Sequence, residues 1–389
     1  MMMKRERWGR PGYVVVAHGT CALLVIGSVL GAMSASASAP PGTPSIARKT
    51  AHSDKPEART ITVPTWSGSF IDQGTAFPYQ MVGTDPAAGS RTTVVPVQIV
   101  PLRFVFANGV ALDGDTKVRL TEASPLFEDA EFKSGTTQYG DAMQRANFWH
   151  DVTTTSPHWH IRLEPHELPT QTIIVPAAEG REFTGQTAGE RIGLVHDAWL
   201  SPQLETILTA SHTDPRALVL FLTDNTSTYY TAAVEGVDLC CLVAYHNTYS
   251  ATDAHSVQRL YTYVFGAYVA PGTFGGANND AGAVFTSAFS DVNLIAHEVV
   301  EWLNDPFLTN AVPPWQMPSG DAALYGCTNL LEVGDPLVGS SFPVTMRDGR
   351  TYSLPDAAFL PWFARTATSN ALGGAYSYRG AFTTFSPSC

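Results

Sequence analysis

One stretch near residue 300 constrains the fold most, because it combines a helical apolar pattern with three ionisable side chains. Residues 290–306 read Ser-Asp-Val-Asn-Leu-Ile-Ala-His-Glu-Val-Val-Glu-Trp-Leu-Asn-Asp-Pro. Apolar residues surround nearly its whole circumference, which predicts a buried helix rather than one on the surface. Ser290 or Asp291 can cap its start, and Pro306 ends it about one turn after Glu301.

The ionisable groups of this helix lie close to one another. His297 and Glu301 are four residues apart, so they stack on one face about 6 Å apart and can bind one metal ion. Glu298 lies about 100° round the helix, where it can reach a metal-bound water as a general base. The alternative is a structural helix whose carboxylates pair with Lys or Arg. Charged residues make up only 15% of the chain, so such partners are scarce and we favour a metal site.

The sequence His297-Glu-Val-Val-Glu301 resembles the His-Glu-x-x-His helix of the zincin metallopeptidases, with Glu301 in place of the second histidine. The resemblance implies a bound zinc ion and a catalytic role for Glu298. Glutamate is an ordinary zinc ligand. Two carboxylates and one imidazole also suit Mn²⁺ or Ca²⁺, so zinc is the predicted cofactor, with manganese and calcium as alternatives.

The two ligands on the helix, His297 and Glu301, need a third protein ligand, usually from a later segment. Glu332 in the stretch Asn-Leu-Leu-Glu-Val-Gly-Asp-Pro (329–336) is the predicted third ligand. In the gluzincin branch of the zincins a downstream glutamate also completes the site. Asp335 is expected either to bind the metal or to hold His297 through its second ring nitrogen. The alternative is that Gly-Asp-Pro there forms only a turn.

A histidine-rich stretch, residues 150–166, offers a rival metal site. On a strand, His158 and His160 would project from one face and could bind a metal together. Trp159 and Ile161 alternate with them as a core-facing side would, so the polar side is expected to be solvated. We favour a structural role for the two histidines.

The start of the chain predicts export. Residues 1–10 are basic, residues 13–33 are largely apolar and residues 35–39 are small, which is typical of a secretory signal peptide over residues 1–39. An uncleaved membrane anchor is the alternative. Residues 40–60 predict a flexible leader. Without residues 1–39 the formal net charge is −15, which disfavours nucleic acid and anionic membrane surfaces as partners.

Cysteine usage fits an exported protein. Beyond the predicted signal peptide the chain contains Cys240, Cys241, Cys327 and Cys389. An even number in an exported chain predicts disulfide bonds. Because adjacent cysteines rarely bond to each other, the adjacent pair is expected to bond separately to the two later cysteines, in an order that the sequence leaves open.

The predicted elements indicate an α+β fold. Strands are expected at Thr92–Phe106, Ala217–Leu222, Cys240–His246 and Leu260–Val269, and helices at Tyr139–Trp149 and Ser201–Ala210. Pro96 and Pro101 place the first strand at a sheet edge or at bulges. We predict a β-rich N-terminal part (61–185) and a zincin-like catalytic part (186–389). The mixed sheet of the second part is expected to pack on the buried helix that carries the metal ligands. One continuous domain (61–389) is the alternative.

A second resemblance covers residues 240–335. It comprises a cysteine-containing strand ending in Tyr245-His246, a Gly/Asn loop, the His-Glu-x-x-Glu helix with its Asp-Pro stop, and a Glu-x-x-Asp segment. These features are similar to the secreted phosphate-induced or Exordium-like proteins. That resemblance neither implies nor excludes peptidase activity.

The leading hypothesis is a secreted zinc metallopeptidase that cleaves a peptide or protein with a metal-bound water. His246, Tyr325 and Arg347 are candidate donors to the oxyanion, and His246 is also an alternative ligand or a support for the ligands. The other hypothesis is a non-enzymatic secreted or cell-wall-associated binding protein on a zincin-like scaffold. A glycosidase is disfavoured, because its paired carboxylates normally come from separate elements. No membrane anchor is expected after signal cleavage.

Overall fold

The computed structural model describes residues 60–185, 190–210, 213–231, 238–252, 256–273, 289–316, 327–368 and 371–389. The predicted signal peptide and all of the predicted leader except Thr60 lie outside these residues, as does most of the Gly/Asn loop. Within the described ranges, no helix has the length and apolar character that a membrane span requires.

The described chain is a mixed α/β structure rich in strands. The helices are α1 (Val118–Glu122), α2 (Tyr139–Asn147), α3 (Trp149–Thr154), α4 (Asp197–Ala210), α5 (Asn293–Asn304) and α6 (Leu360–Phe363). The strands before residue 186 are β1 (Thr60–Ile61), β2 (Thr65–Asp72), β3 (Thr75–Val82), β4 (Thr92–Phe106), β5 (Ala111–Asp113), β6 (Ala130–Phe132), β7 (Gly135–Thr137), β8 (His160–Glu167), β9 (Gln171–Val175) and β10 (Gly180–Thr184). The later strands are β11 (Arg191–His196), β12 (Leu218–Asp224), β13 (Thr226–Thr231), β14 (Asp238–Leu242), β15 (Ala244–Thr252), β16 (Gln258–Tyr268), β17 (Ala311–Gln316), β18 (Cys327–Leu330), β19 (Ser341–Thr345) and β20 (Thr351–Pro355).

The main sheet has eight strands, in the order β1-β16-β12-β4-β5, with β15 beside β16 and with β8 and β9 beside β4. Leu218, Leu220 and Leu222 of β12 face a core that includes α5. Val219 and Phe221 face the opposite core, which includes α4. The sheet is therefore buried on both faces, with α5 on one side and α4 on the other. The division at residues 185 and 186 stays a prediction.

Strand β4 occupies the predicted residues but lies inside the sheet, so the expected edge position is wrong. It pairs with β12 on one side and with β8 and β9 on the other. The ladder with β12 begins at Val97, just after Pro96, and ends at Pro101. Pro101 also lies between the ladder with β8 and the ladder with β9, which begins at Leu102. Pro96 thus precedes the ladder with β12 but lies within the ladder with β8, whereas Pro101 lies where one ladder ends and the partner changes. A proline is tolerated where pairing does not require its missing N–H.

Helix α5 matches the predicted helix in its burial and its end. Every residue of α5 is buried, and the helix stops one turn after Glu301. The predicted cap is wrong, because Val292 precedes the helix without a side-chain cap. Asp291 has a φ of 51°, and its carboxylate accepts hydrogen bonds from the backbone N–H of Val292 and of Ser353, at 2.6 and 2.9 Å. That carboxylate therefore ties the entry of α5 to β20.

Helix α5 is fixed between the sheet and α2. A Cβ on Gly266 of β16 would lie 3.0 Å from Ile295 Cγ1, so a glycine here lets the helix approach the strand closely. At the other end, Asn147 Nδ2 of α2 donates to Asn304 Oδ1 at 2.9 Å. Asp305 accepts the backbone N–H of Asn310 at 3.1 Å. These contacts set the position of the ionisable side chains on α5.

The predicted strand Cys240–His246 is two strands. It breaks at Val243 into β14, which belongs to a four-stranded sheet, and β15, which belongs to the main sheet. An apolar run carries no signal for the point at which a chain passes between sheets.

The predicted helix at Ser201 begins earlier, at Asp197, so Ser201 is not its cap. Pro202 lies in the second turn, where a proline removes one hydrogen bond without stopping the helix.

The cysteine pairing differs from the prediction. Cys327 is bonded to Cys389, with a Cα–Cα distance of 6.0 Å, so neither of them bonds to the adjacent pair. The side chains of Cys240 and Cys241 lie outside the described part of the chain. The C-terminal tail contacts β18 through this bond. The positions of the cysteines in the sequence do not indicate that contact.

Candidate metal centre

Helix α5 contributes three buried side chains to one cluster. His297 Nε2 lies 3.1 Å from Glu301 Oε1, as expected for residues one helical turn apart. Glu298 lies beside them, and the three residues have ligand atoms within 4.8 Å of one another. The helix therefore presents one imidazole and two carboxylates to the same space.

Strand β15 adds a second imidazole to this cluster. His246 is opposite Val264 of β16, and its Nδ1 lies 3.1 Å from Glu298 Oε2. Its neighbour Tyr245 belongs to the core on the α4 side of the sheet. A shift of one residue in register would exchange the two side chains. The sequence shows the strand pattern around His246 but not this register, so it gave His246 only as an alternative.

The segment after β18 contacts α5 and brings a third glutamate. The N–H of Leu331 donates to Asn310 at 3.1 Å, and Val333 accepts the N–H of Ala358 at 2.8 Å. Between these two anchors, Glu332 Oε2 lies 4.0 Å from His246 Nε2. Two flanking apolar residues thus fix a glutamate that points towards the cluster.

Gly334 and Asp335 complete the surroundings of the α5 side chains. Their backbone N–H groups donate to Glu301 Oε1, at 3.0 and 3.2 Å. Asp335 Oδ1 lies 3.4 Å from His297 Nε2, the same nitrogen that faces Glu301. Asp335 therefore lies on the ligand side of the imidazole, and not at its second nitrogen.

Several polar atoms of the cluster are buried without a hydrogen-bond partner in the part of the chain that the structure describes. They are His246 Nε2, His297 Nε2, Glu298 Oε1, Glu301 Oε2 and both carboxylate oxygens of Glu332. Buried polar atoms without partners are costly, and a bound cation would satisfy them. Within the described ranges, the ion-pair partners of these glutamates are the two histidines and not Lys or Arg.

Burial and mutual charge shift the pKa values of the cluster. Burial raises the pKa of Glu298, and the charge of Glu301 raises it further. Burial also raises the pKa of Glu332 well above its usual range, with the charges of Glu301 and Asp335 adding to the effect. Burial favours the neutral form of His297, but the charge of Glu301 and the nearby carboxylate of Asp335 raise its pKa well above the usual value. A divalent cation would stabilise the ionised carboxylates that burial disfavours.

The donors form two groups that could each hold a metal ion. One is His297, Glu298 and Glu301, and the other is His246, Glu301 and Glu332. In tetrahedral zinc sites with bonds near 2.1 Å, ligand atoms are about 3.4 Å apart, which is close to the 3.1–4.0 Å contacts in this cluster. A buried His/Glu cluster here could therefore bind a metal, whose identity the donor set leaves open.

The rival histidine pair lies in a different environment. His158 is exposed and precedes β8, which begins at His160. His160 Nδ1 lies 2.8 Å from Asp141 Oδ2, while Asp141 Oδ1 accepts the N–H of Ile161 at 2.8 Å. That contact ties α2 to β8, and the sequence did not indicate it. Among the described residues, the groups of side chains that could hold a metal ion do not include either histidine.

Two candidate oxyanion donors are not part of the cluster as described. Arg347 is exposed in the turn between β19 and β20, and Tyr325 lies outside the described residues. His246 is the one candidate donor of the three that the structure brings to the cluster.

No family model, curated protein or solved structure matches this chain. None of these comparisons supports the zincin resemblance or the Exordium-like one.

Proposed function

We propose that this protein is a metal-dependent hydrolase, and more specifically a zinc peptidase. The position of Glu298 is the observation that carries the proposal. Its Oε2 lies 3.1 Å from His246 Nδ1, and its Oε1 has no hydrogen-bond partner among the described residues. A carboxylate oxygen of Glu298 lies within 4.8 Å of the ligand atoms of His297 and Glu301. The buried helix on a mixed sheet agrees with a zincin-like layout, by analogy alone.

His297 and Glu301 would hold the ion, with Glu332 or Asp335 as the further ligand. A zinc ion at this site would supply a Lewis acid and a water of lowered pKa. Glu298 Oε1 would accept the proton of that water, and His246 would keep the carboxylate in place. Burial raises the pKa of Glu298, which suits a group that must both accept and return a proton near neutral pH.

A peptide or protein is the proposed substrate class, because activated water and a nearby base are suited to attack on an amide carbonyl. The net negative charge of the chain is consistent with a substrate other than nucleic acid. A secreted location is part of the proposal, and the Cys327–Cys389 disulfide is compatible with it.

The test is hydrolysis of a mixed peptide library by the zinc-loaded chain and by Glu298→Gln. The variant should keep its zinc and lose activity by about 10²- to 10⁴-fold, the usual contribution of a general base. Glu167→Gln, which changes an exposed glutamate on β8, is the matched control and should retain activity. Full activity in Glu298→Gln would reject the mechanism.

A second candidate is a non-enzymatic binding protein that the metal stabilises, and one observation favours it. None of the six residues around the site has more than 3% of its surface exposed. Structural metal sites are closed, whereas catalytic ones keep a position open to substrate. Under this alternative the metal is retained, no peptide is cleaved and Glu298→Gln changes neither.

A further inference from the structure

We propose that the cluster binds two metal ions, with Glu301 bridging them. The inference rests on the proposed function, because it requires the cluster to be a metal centre. It concerns the number of ions and the residues that hold each of them.

The two oxygens of Glu301 face different imidazoles. Oε1 lies 3.1 Å from His297 Nε2. Oε2 has no described hydrogen-bond partner and lies 3.9 Å from His246 Nδ1. Because His246 Nδ1 contacts Glu298, Nε2 is the nitrogen left for a metal ion. The two oxygens of Glu301 lie beside different imidazoles, so each oxygen can bind one ion.

Each imidazole also has a carboxylate of its own. On the first side, Asp335 Oδ1 lies 3.4 Å from His297 Nε2. On the second side, Glu332 Oε2 lies 4.0 Å from His246 Nε2, and neither of these two atoms has a described hydrogen-bond partner.

From these contacts we assign His297, Glu301 and Asp335 to the first ion.

The second ion would be held by His246, Glu301 and Glu332, which also form one of the two groups with mutually close ligand atoms.

The charge of the cluster favours two ions over one. Glu298, Glu301, Glu332 and Asp335 are all buried, and their described ion-pair partners are imidazoles. One divalent ion balances two ionised carboxylates, and the other two would then need protons or imidazolium partners, whereas two divalent ions balance all four in their ionised form. Ions about 3.5–4 Å apart are usual in two-metal hydrolases. Mixed imidazole and carboxylate donors suit Zn²⁺ or Mn²⁺.

The experiment counts zinc ions per chain by native mass spectrometry of the full metal-free chain titrated with Zn²⁺. Wild type should bind two ions. Glu332→Gln and His246→Gln should each bind one, because the first position keeps His297, Glu301 and Asp335. Glu167→Gln, the exposed control, should bind two. Circular dichroism of each variant checks that it is folded.

One ion in wild type would overturn the two-ion proposal and leave the proposed hydrolase intact. No ion after Zn²⁺ addition would overturn both. Two ions in both folded variants would place the second ion elsewhere and so also overturn the assignment. If neither variant folds, the electron spin resonance of Mn²⁺-loaded wild type decides: a coupled pair supports the proposal, and two isolated ions contradict it.

Discussion

The backbone N–H of Gly334 donates to Glu301 Oε1 at 3.0 Å, while the α-carbon of the same glycine lies against the ring of His297. A Cβ at this position would be 2.5 Å from His297 Cε1 and 2.8 Å from Nε2. One residue thus orients a carboxylate through its N–H and leaves room for an imidazole through its lack of a side chain. The spacing of His297 and Glu301 in the sequence gives no indication of this contact.

Gly334→Ala should therefore weaken metal binding. Gly334 has φ −84° and ψ −35°, which alanine adopts readily, so the effect comes from the contact with the imidazole and not from backbone strain. We expect the metal Kd to rise by about 10- to 100-fold, as for other changes beside metal ligands. Isothermal titration of the metal-free variant with Zn²⁺ measures it.

Gly180→Ala is the matched control, because its Cβ would be equally crowded, 2.6 Å from Val175 Cγ1, in a different sheet. It should lower stability and leave the Kd unchanged. Equal Kd values for wild type and Gly334→Ala would contradict the role assigned to Gly334.

Removing the metal should destabilise the protein. Without the ion, the buried carboxylates lose their compensating charge, and the unpartnered imidazole nitrogens lose a group to which they can bind. At a free metal concentration 100 times the Kd, the ion contributes about 2.7 kcal/mol to the free energy of unfolding. Differential scanning calorimetry should therefore give a lower Tm in EDTA, and Zn²⁺ should restore it. EDTA already saturated with zinc is the control, and an unchanged Tm in free EDTA would count against a stabilising ion.

The stability of the fold should fall as pH rises from about 4 to 7, in part through Asp291. Burial raises the pKa of Asp291 to about 7, although two backbone N–H groups favour its ionised form. Between the unfolded value of 3.8 and this folded value, the folded state holds a proton that the unfolded state has released. Its contribution is therefore complete below pH 3.8 and lost above pH 7, and it amounts to about 4 kcal/mol at most.

Asp291→Asn isolates that contribution, because asparagine keeps an oxygen for the N–H groups and tolerates the positive φ. Guanidinium unfolding at pH 4.5 and pH 7.5 should give a smaller difference in the free energy of unfolding for the variant than for wild type. Identical pH dependence in the two proteins would show that Asp291 does not titrate in this range.

The Cys327–Cys389 bond should contribute to stability by restricting the unfolded chain. The two cysteines are 62 residues apart in sequence, which corresponds to about 4 kcal/mol in the chain-entropy description. The Cys327→Ser, Cys389→Ser double variant should lose about this much, and reduced wild type should behave like it. Peptide mapping without reduction should recover the Cys327 and Cys389 peptides linked. Recovery of either one linked to Cys240 or Cys241 would contradict the bond.

Patterns set by local chemistry were predictable from the sequence. The burial of α5, its end near Asn304 and the pairing of His297 with Glu301 follow from helical periodicity and from proline chemistry. The strand Thr92–Phe106 follows from its β-branched and aromatic residues.

Features that depend on tertiary register were not predictable in this way. The central position of β4 and the pairing of Cys327 with Cys389 depend on which segments meet in space. The contact of His246 with Glu298 depends on the register of β15, and a shift of one residue would remove it. The segment of Glu332 carries apolar neighbours that predict burial, but not the direction in which the carboxylate points.

Metal content tests the central claim, that the buried His/Glu cluster is a metal centre, most directly. Elemental mass spectrometry after dialysis would compare wild type with the Glu301→Gln, Glu332→Gln double variant, which removes two carboxylates with little change in volume. We predict at least one equivalent of a divalent metal in wild type and a loss of metal in the folded double variant. Wild type without bound metal, even after Zn²⁺, Mn²⁺ and Ca²⁺ are added back, would contradict the account.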